Sequence, residues 1–312
     1  MSDLIDIAVI GGGPAGLAAA LYGARARAKT VVFERALPGG QIAVTDRIEN
    51  YPGFGDGLSG TELGDRMREH AEKFGAEFRT FETVESIREE GGGFMVTADG
   101  TESGARSVIL ATGTTPRKLD IPGEAEYTGR GVSWCATCDA PLFRDKVVAV
   151  IGGGDAAVEE ALFLTKFCST VHIIHRRDAL RATKCIQERC FSNDRIQMHW
   201  NRIPVEILGE EGRVKGIMLA STAGEAQEFL PVAGVFIFVG LHPNSELAKG
   251  LCQLSPSGYI IIEHSGMTSV PGLYAAGDVT DYPLKQVVTA AAQGATAAFE
   301  AERWIGSTVC TL

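Results

Sequence analysis

The feature that most narrows what this chain can fold into is a plan of strand, glycine-rich loop, helix and strand that occurs twice. In the first copy an apolar run, Ile5–Ile10, leads into Gly11-Gly12-Gly13-Pro14-Ala15-Gly16. A helical pattern follows through Leu17-Ala18-Ala19-Ala20-Leu21, and residues 29–33 read as a second strand ending at Glu34. In the second copy residues 146–151 lead into Gly152-Gly153-Gly154-Asp155-Ala156-Ala157. A helix carrying Val158, Ala161, Leu162 and Leu164 comes next, then the strand Val171-His172-Ile173-Ile174. Each copy later reaches an apolar strand closing on Gly-x-x-Pro: Val108-Ile109-Leu110-Ala111-Thr112-Gly113 up to Pro116, and Val235-Phe236-Ile237-Phe238-Val239-Gly240 up to Pro243.

One glycine-rich turn is a weak signal, but here a strand precedes and a helix follows it twice. The first glycine permits the tight turn and the second lets the backbone approach a pyrophosphate. The third position must be small for helix–strand packing, and Ala157 serves there in the second copy. The helix start then offers free N–H groups and a positive dipole end to the phosphates. The expected fold is therefore α/β, with two Rossmann-like dinucleotide-binding domains of three-layer ββα build. The Gly-x-x-Pro segments would serve as hinges between domains near residues 114–118 and 241–246.

The two copies differ where the ribose should lie. At 23 positions beyond the first glycine, copy one has Glu34 and copy two has His175, followed by Arg176, Arg177 and later Arg181. A carboxylate there accepts ribose hydroxyls and repels a 2′-phosphate. A His-Arg-Arg cluster invites the phosphate through charge-assisted bonds. Copy one should take an unphosphorylated adenosine ribose and copy two NADPH; the plain alternative for the cluster is a solvated basic turn.

Seven cysteines are scattered except for Cys135-Ala136-Thr137-Cys138, which is no secreted disulfide framework. Two intervening residues allow a disulfide within one turn and lower a thiolate pKa at a helix start. A structural zinc site would want a second such knuckle, and Cys168, Cys185, Cys190, Cys252 and Cys310 form none. Cys185 and Cys190 read as ordinary thiols, and Cys310 receives no role. Asp139, next to the pair, either moves the proton that thiol–disulfide exchange requires or caps a helix.

A net charge of −10 argues against a broad nucleic-acid surface. No apolar run reaches the roughly 18 residues of a membrane span. The acidic start Met1-Ser2-Asp3 leads straight into a strand and does not read as a signal peptide, so the expected location is the cytoplasm.

Over essentially its whole length the chain resembles the low-molecular-weight, bacterial-type thioredoxin reductases. The carriers are the two glycine loops, Gly39-Gly40-Gln41, Glu49-Asn50-Tyr51-Pro52-Gly53, Ala111-Thr112-Gly113, Cys135 to Asp139, and His175-Arg176-Arg177-Asp178. Gly277-Asp278-Val279 and Gln286-Val287-Val288-Thr289-Ala290-Ala291 complete them in the shared order. The resemblance implies a discontinuous FAD-binding domain, residues 1–116 and 245–312, with an NADPH-binding domain, residues 117–244, inserted. It implies that Gly11, Gly13, Pro14, Ala15, Gly16, Glu34, Gly40, Gln41, Asn50, Ala111, Thr112, Gly113, Gly277, Asp278, Gln286 and Val287 serve FAD. Asp278 would hold the ribityl chain, with Gln286 and Val287 along the flavin at the start of a helix. Gly152, Gly154, Asp155, Ala156, Ala157, His175, Arg176, Arg177 and Arg181 would serve NADPH.

The resemblance further implies that hydride passes from nicotinamide to flavin and on to the disulfide. Cys138 would face the flavin, Cys135 would attack the disulfide of thioredoxin, and Asp139 would act as acid/base. It also implies a homodimer whose NADPH domain rotates. Asp155 stands where relatives often carry an uncharged residue, and a carboxylate beside a pyrophosphate is unfavourable unless its side chain turns away. Pro141-Leu142-Phe143, with Arg130, is the expected thioredoxin-docking patch.

The alternative is an NADPH-dependent flavoprotein reductase of another protein or small-molecule disulfide. The reductase of a peroxide-scavenging system would carry a thioredoxin-like module ahead of the first strand, and with that strand at Ile5 none is expected. A dithiol oxidase could dispense with the basic cluster, a ferredoxin–NADP reductase lacks the cysteine pair, and a non-catalytic flavin regulator leaves Cys135, Cys138 and the arginines unexplained. Neutral residues in place of Arg176 and Arg177 should raise KM for NADPH about tenfold or more. KM for NADH should stay within about twofold; steady-state kinetics with both nucleotides decide it, and equal effects would sink the 2′-phosphate assignment.

Overall fold

The computed structural model describes residues 4–45, 48, 50–224 and 227–309; Met1-Ser2-Asp3, Glu49 and Cys310 lie outside them. The chain divides into two compact units. One takes the described residues up to Thr45, Tyr51–Thr115 and those from His242 onward; the other takes Pro116–Leu241 with Ile48 and Asn50.

In chain order the first unit carries β1 (Ile5–Ile10), α1 (Pro14–Arg25), β2 (Thr30–Glu34), α2 (Gly60–Lys73), β3 (Glu77–Thr80), β4 (Val84–Glu90), β5 (Gly93–Ala98) and β6 (Thr101–Leu110). The chain leaves through β7 (Thr114–Pro116). The second unit then carries β8 (Val132–Ser133), α3 (Ala136–Asp139), β9 (Val147–Ile151), α4 (Asp155–Leu164), β10 (Thr170–His175) and α5 (Lys184–Phe191). It continues with β11 (Ile196–Trp200), β12 (Arg202–Glu210), β13 (Arg213–Ser221), β14 (Glu228–Pro231) and β15 (Gly234–Ile237). The chain returns through β16 (Leu241–Pro243), and the first unit closes with β17 (Leu273–Ala275) and α6 (Val287–Val309). No described helix is long and apolar enough to cross a membrane.

The repeat in sequence is a repeat in topology. In the first unit β3, β2, β1, β6 and β17 run parallel in that order, and β6 also pairs antiparallel with β5, which pairs with β4. In the second unit β11, β10, β9, β15 and β8 run parallel in that order, beside an antiparallel sheet β12-β13-β14.

Strands covered on both faces read as unbroken apolar runs, and each unit follows that rule. In the first, Ile7, Val9, Val32 and Ile109 pack against the alanines of α1 and α6. Ile5, Ala8, Ile10, Val31 and Phe33 face the other way, towards Phe94 and Val96 of the antiparallel strands. In the second, Val148, Val150, Val171 and Ile173 pack with Ala157, Val158, Ala161 and Leu164 of α4. Ala149, Ile151, Ile174 and Val235 meet Ile207, Val214, Ile217 and Leu219. Each unit is thus three layers: helices, parallel sheet, antiparallel strands.

The α1–α6 crossing is set by small residues. A Cβ on Gly294 would collide with Ala15 O, whereas one on Gly306, further along the same helix, would meet nothing within 4 Å. Gly294→Ala should therefore destabilise the first unit by about 1–3 kcal/mol through overpacking. Gly306→Ala should stabilise it by about 0.5–1 kcal/mol through helix propensity. Urea unfolding of the two flavin-loaded variants should move in opposite directions; movement in the same direction would refute this account of the crossing.

Candidate active site

The two loops are built alike, bond for bond. Gly11 N donates to Phe33 O (2.9 Å) and Gly152 N to Ile174 O (3.2 Å). Ala111 N donates to Ile10 O and Phe238 N to Ile151 O, each at 2.8 Å. Gly39 N reaches Gly12 O (2.8 Å), and Arg181 N reaches Gly153 O (2.7 Å). Gly11 (φ +105°) and Gly152 (φ +153°) lie in backbone space that favours glycine. Gly13 and Gly154 start α1 and α4 in extended conformation with no side-chain cap, leaving first-turn N–H groups for an anion. Ala15, Gly16 and Ala157 are buried, whereas Ala156 is exposed.

The difference sits under the second glycine. Glu34 accepts Gly12 N (2.7 Å) and Ala36 N (2.9 Å), one bond to each oxygen, so its carboxylate lies on the loop with lone pairs to spare. In the other unit the His175 ring fills the same place, where a Cβ on Gly153 would overlap it. His175 is only 5% exposed, and its Nε2 is buried without a hydrogen-bond partner among the described residues; burial lowers its pKa, a backbone hydrogen bond to Ala179 raises it, and Arg181, Arg177 and Arg176 lower it further. The basic cluster is therefore divided: His175 is a neutral support, and the exposed cations are Arg176, Arg177 and Arg181. None of the three is in an ion pair among the described residues, and Arg181 Nη2 lies nearest to a Cβ built on Gly154, at 4.0 Å. Asp155 turns away from the loop: its Oδ1 accepts Thr183 N (2.7 Å), tying down the start of α5 just after Arg181.

Around the first loop, Gly40 (φ +60°) lies against Gly13, and Gln41 Nε2 donates to Thr114 O (2.6 Å). Thr112 and Asn244 exchange two bonds: Thr112 Oγ1 to Asn244 O (2.6 Å) and Asn244 Nδ2 to Thr112 O (2.9 Å). A Cβ on Gly113 would meet nothing, so this edge is open. Gly277 N donates to Gln293 Oε1 (2.8 Å), which fixes the turn that presents Asp278. Burial raises the Asp278 pKa and Lys285 pulls it back; the carboxylate has no hydrogen-bond partner among the described residues. Burial lowers the Lys285 pKa in turn, and its Nζ lies 4.6 Å from the Tyr259 ring centre. Gln286 N donates to Thr289 Oγ1 (3.2 Å) at the head of α6, where Val287 begins. Asn50 is exposed and groups with the second unit, unlike the others of its set. Lys285, Gln293 and Asn244 escaped the sequence reading. Lys285 alone carried a signal there, as a lone cation directly before Gln286.

Cys135 and Cys138 form a disulfide with Cα atoms 5.3 Å apart. Ser133 Oγ accepts Cys135 N (3.0 Å), and Cys135 caps α3, its Sγ accepting Cys138 N (3.2 Å). Buried Ala136 and Ala140 anchor the turn, and Asp139 does not cap the 3₁₀ turn Ala140–Phe143 that follows. The expected docking stretch needs one correction. Phe143 is 8% exposed and packs edge-on against Phe236 at 5.2 Å, because an apolar ring at that position fills the space above Gly234. Leu142 and Arg130 stay exposed. Cys168, Cys190 and Cys252 have thiols pushed up to about 11 by burial, and Cys185 is exposed.

A pyridine nucleotide-disulphide oxidoreductase family profile matches residues 5–294. The chain belongs to that family. It is 45% identical over 310 residues to a thioredoxin reductase of Peptoclostridium acidaminophilum, covering 98% of both. It is 47% identical over 302 residues to a bifunctional thioredoxin reductase/thioredoxin of Mycobacterium leprae, covering 96% of this chain and 66% of that one. The crystal structure of thioredoxin reductase from Streptococcus pyogenes matches with a TM-score of 0.94 at 40% identity, covering 98% of this chain and 100% of that one.

Membership brings FAD and NADPH as cofactors. The residues fit them: two uncapped helix starts, a carboxylate at Asp278 with no hydrogen bond among the described residues, and three guanidiniums after β10, Arg176, Arg177 and Arg181, in no ion pair among the described residues. Asp155→Ala should speed amide exchange at Thr183 about tenfold by removing a charge-assisted acceptor, while Asp155→Asn should stay near the parent. Hydrogen-exchange mass spectrometry of the peptide spanning Thr183 reads both; unchanged exchange in the alanine variant would refute the tether.

Proposed function

We propose that the chain reduces the disulfide of thioredoxin. The observation that carries this reading is the Cys135–Cys138 disulfide capping α3 within a unit that holds its own nucleotide-type loop. When bound, NADPH and FAD supply the hydride equivalent that opens this disulfide to a dithiol.

On this reading the first loop, Glu34, Gly40, Gln41, Asn50, Ala111, Thr112, Gly113, Gly277, Asp278, Gln286 and Val287 hold FAD. The second loop, from Gly152 to Ala157, holds NADPH with Arg176, Arg177 and Arg181 on the 2′-phosphate. His175 supports the loop from below, and Asp155 acts through its bond to Thr183.

Cys135 Sγ, as thiolate, attacks one sulfur of the partner's disulfide, forming a mixed disulfide and releasing one partner thiolate. Cys138 Sγ then attacks Cys135 Sγ, which re-forms the bond seen here and releases the second partner sulfur. Two electrons leave the dithiol, and the two protons end on the partner's thiols; Asp139 passes the proton at Cys138. The unlike roles of the two cysteines rest on the family pattern.

Arg130 and Leu142, both exposed, support docking of the partner beside this turn. Tyr282, Leu284, Val288 and Phe299 leave large apolar side chains exposed before and along α6, which supports a homodimer. The acidic chain with one close cysteine pair fits work in the cytoplasm. NADPH consumption with a panel of oxidised thioredoxins, glutaredoxins and small disulfides tests the substrate. Turnover with another disulfide and with no thioredoxin would overturn the partner and leave the dithiol standing. Cys138→Ser should trap a covalent mixed disulfide with thioredoxin, visible on a non-reducing gel, and Cys135→Ser should lose turnover and trap nothing. Normal turnover in Cys135→Ser would refute its role.

A further inference from the structure

Ser133 ends β8, two positions before Cys135, and its hydroxyl is directed at that cysteine. Its Oγ accepts Cys135 N (3.0 Å), and its O–H donates to Cys135 O (3.3 Å). Both bonds run to backbone, so they fix the peptide groups of the cysteine rather than its sulfur. Ser133 is itself firmly held. It is 5% exposed, and it lies opposite Phe236 where β8 pairs with β15 at the edge of the parallel sheet. Val132 beside it is buried in one core cluster with Val235, and the Trp134 ring packs on the same cluster. The serine is therefore the last residue of the sheet before the sulfurs, and it reaches past Trp134 to hold the first of them by its main chain.

The bond between the two sulfurs opens and closes whenever the pair passes electrons. While it is closed, the disulfide keeps Cys135 in place by itself. Once it is open, non-covalent contacts alone keep the two thiols together, and the bonds from Ser133 are among them. Any freedom the chain gains on opening favours the open form through its entropy. A pinned backbone withholds that freedom and keeps each thiol at a high effective concentration for the other. The closed form is then favoured, and a dithiol that closes readily gives up its electrons readily.

We propose that Ser133 is a positioning residue of the dithiol: its hydroxyl fixes the backbone of Cys135, so that the opened pair re-closes easily and remains a reductant. The inference rests on Cys135 and Cys138 being the working redox pair, whichever disulfide receives the electrons. In the step it assists, the Cys138 thiolate attacks Cys135 Sγ while that sulfur is joined to one sulfur of the oxidising disulfide. The Cys135–Cys138 bond forms, and the bond to the oxidant breaks. The departing sulfur leaves as a thiolate and takes up a proton.

The test equilibrates the flavin-loaded protein anaerobically in buffers of reduced and oxidised dithiothreitol. Acid quenching, alkylation with N-ethylmaleimide and peptide mass spectrometry give the fraction of Cys135 and Cys138 present as dithiol. Ser133→Thr keeps the hydroxyl, and Ser133→Val keeps the branched shape without it. Ser133→Val should lie about tenfold further towards the dithiol than Ser133→Thr, through the loss of two backbone bonds. That corresponds to a potential about 30 mV higher. Ser133→Ala should move in the same direction relative to the parent. A purely structural role would lower flavin content or unfolding temperature and leave the dithiol fraction where it was. Equal equilibria in Ser133→Val and Ser133→Thr, or Ser133→Ala within about twofold of the parent, overturn the proposal. No thioredoxin takes part in this measurement. A shifted equilibrium in a protein that reduces no thioredoxin would leave Ser133 in its role and refute only the partner.

Discussion

Both units depend on one close backbone approach. A Cβ on Gly11 would stand 2.5 Å from Ala111 O, and one on Gly152 would stand 2.6 Å from Phe238 O. Only a glycine lets the chain leave the first strand, pass under the neighbouring strand and start a helix within three residues. From that turn follow the extended starts at Gly13 and Gly154, the uncapped N–H groups of α1 and α4, and the small residues wherever another segment presses on the helix. Gly16 is one of these, since a Cβ there would overlap Gly11 O. The turn leaves a helix start that suits an anion better than water.

A shared backbone then lets side chains set two chemistries. Under the second glycine the first unit puts the carboxylate of Glu34, held by two N–H groups, and the second puts the neutral ring of His175. The ring is kept uncharged by burial, with Arg181, Arg177 and Arg176 opposing a fourth positive charge at that place. The negative site suits hydroxyls and the positive site suits phosphate, and neither change disturbs the turn. Asp155 shows the same economy: at a helix start it could have opposed an anion, yet its charge is used on Thr183 N.

What was legible in the sequence is what repeats along it. Apolar runs buried on both faces and glycines at fixed offsets gave the fold class, because both are set by local sterics and period. The counted offset also located Glu34 and His175. It could not tell that the histidine turns inward while the arginines stay out, since that follows from the space above Gly153 and the packing of Trp200, 6.3 Å away ring to ring. Phe143 was misread for the same reason: an aromatic near the dithiol reads as surface until Gly234 opens a place for it. Asn244 bonds to Thr112, 132 positions away, and no spacing rule reaches that far.

Parallel topology explains why the chemistry of the second unit gathers where it does. β8, β9 and β10 run the same way in one sheet, so their carboxyl ends share an edge. The dithiol turn leaves the end of β8, the glycine loop the end of β9, and the arginines the end of β10. Crevices outside strand carboxyl ends are where open α/β sheets bind ligands. Only β15 separates β8 from β9, so those two ends lie roughly 10 Å apart by strand spacing. That is too far for the loop to touch the sulfurs, but it is within the reach of a helix side chain. α4 starts at the loop and packs on α3, which begins at the dithiol turn. The same sheet that sets the glycine loop apart from the dithiol turn thus leads into the helix that packs against that turn.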